Sequence, residues 1–225
     1  MKISNLRKNY EHFALNIESM EIRPGRVYGI IGQNGCGKTT AMKLLAGLTP
    51  PDSGSLDYEG LTPRDITMVF RKPYILNDTV VNNLVYPLKL RGITPHNGEL
   101  DHYLELAELA GHREAYAPGL SGGQQQKLAL VRALIFSPKL IFIDEAFSNM
   151  DIESVAKFEN YILHRQTTHP TTWVIISHQL SNIKRLCSYI YFMYNGSVDA
   201  HGAAEKILSS PENANLRRYL QHEGM

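Results

Sequence analysis

The chain has 225 residues, with 23 Lys and Arg against 22 Asp and Glu and a formal net charge of +1. This length allows one substantial domain, and the balanced charge excludes the basic footprint of a nucleic-acid-binding protein. The apolar runs are too short to cross a bilayer, the first residues lack the apolar core of a signal peptide, and two cysteines cannot build a disulfide framework. We therefore predict a cytoplasmic protein that reaches a membrane only through a partner.

The first part of the chain predicts strands, a tight loop and a helix in succession. Residues 11–22 alternate loosely between apolar and polar side chains, as half-buried antiparallel strands do. Residues 27–31 form a continuous apolar run that leads directly into a glycine-rich loop. Residues 38–46 are helix formers, and Gly47 suits the position after the last helical turn.

Between residues 78 and 133 the pattern changes from strand to helix. Residues 82–90 and 98–110 both have helical character, and few strand signals interrupt them. We interpret 78–133 as a mostly helical lobe inserted into an α/β core. The core comprises residues 1–77 and 134–225, and the whole chain is predicted to be one domain.

The last third of the chain predicts buried strands and a hairpin. Residues 140–143 and 173–176 are unbroken apolar runs, which are typical of parallel strands covered by helices on both faces. Residues 189–194 and 197–200 are separated by Asn-Gly, the strongest short signal for a hairpin turn.

The glycine-rich loop fits the phosphate-binding motif G-x-x-x-x-G-K-[ST], in the strand-to-helix context that the motif requires. It comprises Gly32, Gln33, Asn34, Gly35, Cys36, Gly37, Lys38 and Thr39, and Thr40 follows. The glycines let backbone N–H groups face the phosphates, Lys38 would reach the β- and γ-phosphates, and Thr39 would ligate Mg²⁺. A chance glycine-rich turn would not explain the order of strand, loop and helix.

Two carboxylates follow the apolar run at 140–143. Asp144 would hold Mg²⁺ through its water shell, as the second metal-binding element of such proteins does. Glu145 would stand where an attacking water lies, either as general base or as the acceptor that orients the water. The alternative for Glu145 is an ordinary surface charge at the end of a strand.

A third motif, Leu-Ser-Gly-Gly-Gln at 120–124, has two compatible interpretations. Ser121 and Gln124 form the sequence pattern of a helix capping box. Gly122 and Gly123 are poor helix formers, each costing up to about 1 kcal/mol relative to alanine. Their bare N–H groups at the positive end of a helix suit contact with an anion.

In this order and spacing, the three motifs resemble those of ABC-type ATPases, and the resemblance extends over essentially the whole chain. It implies a P-loop NTPase core of the ABC type, with an N-terminal antiparallel β subdomain and an inserted helical lobe. It further implies a head-to-tail homodimer that binds two ATP molecules with Mg²⁺. Each ATP would lie between the P-loop of one subunit and the signature helix of the other.

The resemblance also assigns residues outside the three motifs. Tyr10 matches the aromatic residue that stacks on adenine, and Phe13 is its rival. Residues 148–151 match the loop that crosses the dimer interface, with Asp151 as its acidic end. His178, just after the apolar run at 173–176, matches the switch histidine that contacts the γ-phosphate.

Two positions depart from the family pattern. Ala146 stands where proline is common, and Arg71 stands where the family has a glutamine that ligates Mg²⁺. A guanidinium has five donors and no acceptor, so Arg71 cannot replace that ligand. It could swing out of the site or reach the γ-phosphate. The sequence favours the first, because Lys38, Mg²⁺ and the opposing signature helix already supply positive potential.

The two cysteines lead to different expectations. Cys36 lies inside the phosphate loop, where backbone N–H groups and Lys38 should favour its thiolate if the side chain is accessible. Cys187 is expected to be structural.

The segment at 66–76 resembles that of tungstate importer ATPases apart from Arg71, and residues 86–92 and 181–186 add to this likeness. Molybdate, phosphate and amino-acid importers share part of it. The resemblance implies the ATPase subunit of an oxyanion importer that works with a transmembrane permease and, indirectly, an extracytoplasmic solute-binding protein. Residues 74–81 would receive the permease. An importer of another small solute and a soluble non-transport ABC ATPase remain the alternatives.

Overall fold

The computed structural model describes residues 1–224, which form one mixed sheet of nine strands with helices packed against it. The strands are β1 (Lys2–Tyr10), β2 (Phe13–Glu21), β3 (Val27–Ile31), β4 (Ser53–Asp57), β5 (Ile66–Val69), β6 (Leu140–Asp144), β7 (Thr172–Ile176), β8 (Tyr189–Tyr194) and β9 (Ser197–Ala203). The α-helices are α1 (Lys38–Leu45), α2 (Val80–Arg91), α3 (Glu99–Leu106), α4 (Gly122–Leu134), α5 (Ile152–Thr168), α6 (Leu180–Leu186), α7 (Ala204–Ser209) and α8 (Ala214–His222).

The order of strands across the sheet is β4-β1-β2-β9-β8-β3-β7-β6-β5. Strands β3, β7, β6 and β5 are parallel neighbours, whereas β1 pairs antiparallel with both β2 and β4. The carboxyl ends of parallel strands meet at one edge of a sheet, which is where ligands bind in open α/β folds. The loops after β3, β5, β6 and β7 therefore share one edge.

The parallel strands are buried on both faces. In β6, Ile141 and Ile143 belong to one apolar cluster, and Leu140 and Phe142 belong to the cluster on the opposite face. Every residue of β3, β6 and β7 is buried. This two-sided burial explains the unbroken apolar runs and confirms the parallel strands predicted from them.

Several predicted elements have different bounds in the structure. Helix α2 begins at Val80, earlier than predicted, because the Thr79 side chain accepts a hydrogen bond from Asn82 N at 3.2 Å and caps the helix. Helix α3 ends at Leu106, earlier than predicted, because Glu108 adopts a left-handed φ of 58° and the chain turns away. The predicted hairpin is confirmed as β8 and β9.

The sequence patterns did not predict β1, β4, β5 or the helices after β6. In β1, for example, the buried side chains are Ile3 and Leu6, which are three residues apart and so hide the alternation of a strand. Helices α2, α3 and α4 lie between β5 and β6 along the chain. The division into a core and a lobe at 78–133 stays a prediction. Within residues 1–224, no helix combines the length and apolar character needed to cross a membrane.

Candidate active site

The predicted phosphate loop connects β3 to α1. Gly37 precedes α1 with a left-handed φ of 102°, and a Cβ there would lie 2.6 Å from Cζ of Phe13. Only glycine satisfies both the backbone conformation and this close contact. The loop therefore wraps against the Phe13 ring, and the N-terminus of α1 is free of any side-chain cap.

Lys38 lies within this loop and is only 7% exposed. Its Nζ donates hydrogen bonds to the carbonyl oxygens of Gly32 at 2.7 Å and Gln33 at 3.0 Å. No carboxylate among the described residues forms an ion pair with it. A nearly buried ammonium that has only carbonyl partners is suited to receive an anion.

A cavity of about 380 Å³ opens in front of the loop. It is lined by Phe13, Asn34, Gly35, Gly37, Lys38, Thr39, Thr40, Arg71 and Glu145. Seven of these nine residues were predicted from the sequence as site residues, and the fold brings all nine together from four different segments. Phe13 lines the cavity, whereas Tyr10 stacks on Phe13 with ring centroids 6.4 Å apart and does not line it. The adenine contact of Tyr10 stays a prediction, and Phe13 has the better position.

Thr39 and Asp144 form a pair of oxygen donors beside the cavity. Thr39 Oγ1 donates to Asp144 Oδ1 at 3.2 Å, and Asp144 is only 4% exposed. Burial raises the pKa of Asp144, although the Thr39 hydrogen bond opposes the shift. A buried carboxylate next to a hydroxyl is a hard oxygen pair of the kind that Mg²⁺ accepts, with phosphate and water oxygens as further ligands. These residues fit the predicted metal site.

Glu145 follows directly in a strained conformation. Its φ is 52°, which is uncommon for a residue with a side chain, and its N–H donates to Ile176 O at 3.0 Å. The carboxylate is 9% exposed and has His178 Nε2 2.7 Å from Oε1. The fold thus brings Glu145 and His178, which the sequence proposed separately, into direct contact.

Arg71 has a position that the sequence did not anticipate. It neither swings away from the site nor lies free, because its Nη1 is 3.0 Å from Glu145 Oε2. The contact is an ion pair without hydrogen-bond geometry. Oε2 is buried, and it has no hydrogen bond within residues 1–224. Since β5 and β6 are sequence-distant and adjacent only in the sheet, no local pattern could have revealed this pair.

The condition for a reactive thiolate at Cys36, an accessible side chain, is not met. The side chain is 6% exposed and belongs to an apolar cluster beneath the loop. Burial raises the pKa of the Cys36 thiol and outweighs the opposing effect of Lys38. Cys187 is also buried, and burial raises its pKa, as a structural cysteine would require.

The predicted capping box at the start of α4 is confirmed. Ser121 Oγ accepts from Gln124 N at 3.3 Å, and Gln124 Oε1 accepts from Ser121 N at 3.0 Å. A Cβ on Gly122 would meet nothing within 4 Å, whereas one on Gly123 would lie 3.0 Å from Asn149 O. None of the residues from 121 to 124 lines the cavity in front of the phosphate loop. Their contact with nucleotide stays a prediction.

Asp151 caps its own helix. Its Oδ1 accepts from Ser154 N at 2.8 Å at the start of α5, and Ser154 Oγ lies 2.7 Å from Oδ2. A contact across a dimer interface stays a prediction for this residue.

Sequence reasoning missed an ionic network beside Asp151. Glu108 Oε2 accepts from Lys127 at 2.7 Å and lies 2.8 Å from Ser154 Oγ, and Oε1 pairs with Lys157. These contacts, led by the Lys127 hydrogen bond, lower the pKa of Glu108 to about 2. The network joins the end of α3 to α4 and α5. No pattern in the sequence predicted the left-handed φ of Glu108.

The fold and the site define a P-loop protein built to bind a nucleotide and cleave its terminal phosphate. Residues 15–148 match the family model described as ABC transporter. Over 206 residues the chain is 36% identical to the ATP-binding protein of a tungstate uptake system from Peptoclostridium acidaminophilum, covering 87% of this chain and 95% of that protein. It is 30% identical over 235 residues to a methionine import ATP-binding protein from Chlamydia pneumoniae, covering 96% and 69%.

Solved structures agree in fold. An ATP-binding subunit of an ABC transporter superposes with a TM-score of 0.85 at 21% identity, covering 100% of this chain and 99% of that chain. A dimeric ATP-binding cassette in a post-hydrolysis state with ADP and Pi gives 0.79 at 24% identity, covering 90% and 98%. The chain belongs to the ABC transporter family, and it is the ATPase of such a system.

Proposed function

We propose that this ATPase powers a solute importer, and that Glu145 is the residue on which hydrolysis depends. The carrying observation is the position of Glu145, which adjoins the Thr39–Asp144 oxygen pair and contacts His178 at the mouth of the phosphate-loop cavity. In this arrangement, the Asp144 carboxylate would face Mg²⁺ and the Glu145 carboxylate would face the attacking water.

The residues divide the chemical work. The backbone N–H groups of the phosphate loop, from Gly32 to Thr40, and Lys38 bind the phosphates and offset their charge. Glu145 orients a water molecule and accepts its proton as the water oxygen bonds to the γ-phosphorus and the bond to the bridging oxygen of ADP breaks. His178 holds the Glu145 carboxylate in place, and it would also contact the γ-phosphate although it does not line the cavity itself. Thr39 and Asp144 would hold Mg²⁺, which supplies positive charge to the phosphate oxygens when bound.

A second copy of the chain would complete the site. Residues 121–124 (Ser121, Gly122, Gly123 and Gln124) lie at the capped start of α4, outside the cavity in front of the phosphate loop. A helix N-terminus attracts anions, and a head-to-tail partner would present its nucleotide there. Residues 148–151 lie against Gly123, which supports a shared role for the two segments in the interface.

Residues 74–81, at the start of the helical region, would receive a transmembrane permease and thereby hold the subunit at the cytoplasmic face of the membrane. Tyr74 is 74% exposed and Tyr86 is 44% exposed, and both line a groove of about 440 Å³. The groove is lined in part by Tyr74, Leu76, Tyr86 and Pro87. Exposed apolar side chains around a groove favour a partner segment over simple packing of the lobe.

We further propose that the transported solute is an oxyanion such as tungstate or molybdate, taken up through an extracytoplasmic binding protein. The higher identity to the tungstate protein supports this choice over methionine or another small solute. The ATPase itself need not contact the solute, so the cargo must be tested in the assembled transporter.

The experiment is reconstitution of the chain with candidate permease and binding-protein subunits in lipid nanodiscs. Tungstate or molybdate with the cognate binding protein should stimulate ATP hydrolysis, while methionine and phosphate should not. The Glu145→Gln assembly controls for contaminating ATPases. Stimulation by methionine alone would assign the cargo to the alternative class. Failure to co-purify with any polytopic membrane protein, with ATPase activity intact, would favour the soluble non-transport ATPase.

A further inference from the structure

Arg71 is a charged residue at the site, and the proposed mechanism gives it no role. Its Nη1 lies 3.0 Å from Glu145 Oε2, and His178 Nε2 lies 2.7 Å from the other carboxylate oxygen. Both oxygens of the proposed proton acceptor are therefore in contact with nitrogen groups. While Arg71 occupies this side of the carboxylate, a water molecule cannot take its place beside Oε2.

The charges around the cavity do not repel Arg71 from it. Lys38 and Arg71 face two buried carboxylates, Asp144 and Glu145, so these four groups balance. The sequence favoured an outward Arg71 because only the positive groups near the phosphate were considered, without the carboxylates of Asp144 and Glu145. A γ-phosphate brings more negative charge than Glu145 and accepts two parallel N–H bonds from a guanidinium.

The backbone before Arg71 is fixed, whereas its side chain is free to turn. Gln126, which is fully buried in α4, donates from Nε2 to Phe70 O at 3.1 Å. The Arg71 side chain is 66% exposed and already lines the phosphate cavity. Rotation about its side-chain bonds can thus carry the guanidinium from the carboxylate towards the phosphates without moving the chain.

We propose that Arg71 positions Glu145 while no ATP is bound and exchanges this carboxylate for the γ-phosphate when ATP enters. The exchange frees Glu145 Oε2 for the attacking water and adds a γ-phosphate contact. ADP lacks the γ-phosphate, so Arg71 remains on Glu145 in the ADP complex. This inference rests on the proposed roles of the phosphate loop and Glu145.

The test is a double-mutant cycle read by nucleotide affinity. Arg71→Met removes the guanidinium without offering Mg²⁺ a new ligand, as glutamine would. Calorimetric titration with Mg²⁺ and the β,γ-imido analogue of ATP should show affinity about tenfold weaker in Arg71→Met, with ADP changed less than twofold, because a charge-assisted phosphate contact is lost only for the triphosphate. Glu145→Gln should tighten binding of the analogue, and part of that gain should disappear in the double variant.

Lys72→Gln is the matched control, since it removes one positive charge from the next position, outside the cavity lining. It should leave both affinities unchanged. An unchanged ratio of analogue to ADP affinity in Arg71→Met would overturn the exchange, as would strict additivity of the two substitutions. If the wild-type chain bound neither nucleotide, the proposed site itself would be wrong, which is a separate outcome.

Discussion

Glu145 and Glu108 make an instructive comparison, because both are glutamates with left-handed backbones and both contact two basic side chains. Their φ values are 52° and 58°. Every oxygen of Glu108 has a close donor, from Lys127, Ser154 or Lys157. Glu145 has one oxygen near His178 and one that lacks a hydrogen bond.

The difference separates a structural carboxylate from a reactive one. A fully satisfied polar network rigidifies the elements that it joins, and Glu108 joins the end of α3 to α4 and α5. A buried oxygen that has an ion-pair contact but no hydrogen bond can accept one from water once that contact is released. The same strained backbone therefore supports packing at Glu108 and, in the proposed mechanism, chemistry at Glu145.

The largest expected effect is on the reactive side of the comparison. Glu145→Gln keeps the size of the side chain but removes the proton acceptor, so steady-state ATP hydrolysis should fall about 100-fold or more. The variant should still bind ATP and form an ATP-dependent dimer in size-exclusion chromatography. Glu153→Gln, which alters an exposed carboxylate in the first turn of α5, is the control. Hydrolysis at the wild-type rate would remove Glu145 from the mechanism.

Glu108→Gln should act on stability and spare nucleotide binding. Lys127, whose side chain is only 11% exposed, would lose its nearer carboxylate and keep only Asp151 Oδ2 at 4.0 Å. We expect the free energy of unfolding to fall by about 1–3 kcal/mol, measured by urea denaturation. Asp101→Asn breaks an exposed pair with Arg113 and should cost less than about 1 kcal/mol. Equal effects of the two substitutions would show that the network adds nothing beyond a surface pair.

Acid should remove the contribution of Glu108 to the free energy of unfolding. Its folded-state pKa lies near 2, below the ordinary value of 4.5, so its contribution is complete above pH 4.5 and is lost as the pH falls towards 2. The stability difference between wild type and Glu108→Gln should therefore be constant at neutral pH and shrink across that window. A difference that grew on acidification would contradict the assignment.

Asp144→Asn should change the stability of the fold less than Glu108→Gln does, and it should raise the stability. Burial raises the pKa of Asp144, so the ionised carboxylate destabilises the nucleotide-free fold at neutral pH, and the penalty fades as the pH falls from the raised folded-state pKa towards the unfolded value of 3.8. The variant should unfold about 1–3 °C higher at pH 7 while losing Mg²⁺-dependent hydrolysis, as a functional-site substitution can. Thermal scans at pH 7 and pH 4 test this, and a lower melting temperature at pH 7 would refute it.

The smallest effect concerns Cys36. Because the thiol is buried and its pKa is raised, iodoacetamide at pH 7.5 should label it as slowly as Cys187, with or without Mg-ATP. Mass spectrometry of the two cysteine peptides measures the rates. Rapid labelling of Cys36 that ATP prevents would restore the thiolate that the sequence predicted.

Local sequence patterns predicted those parts of the fold whose apolar runs or turn residues lie within one short segment. The run at 140–143 and the Asn-Gly turn at 195–196 gave the correct strands, because burial on both faces and a tight turn each leave a short-range signature. Strand β1 and the helices after β6 carried weaker signals, and tertiary packing decided them.

The site divides in the same way. The sequence determined the ABC-type motifs, and with them the phosphate loop, the Asp144–Glu145 pair and the capping box of α4, since each is a contiguous segment whose residue types fix its chemistry. Only the tertiary structure decided that Arg71 contacts Glu145, that Phe13 and not Tyr10 lines the cavity, and that Cys36 is buried. The physical reason is that parallel strands bring sequence-distant ends to one edge, where packing decides which side chains face the cavity and which are buried.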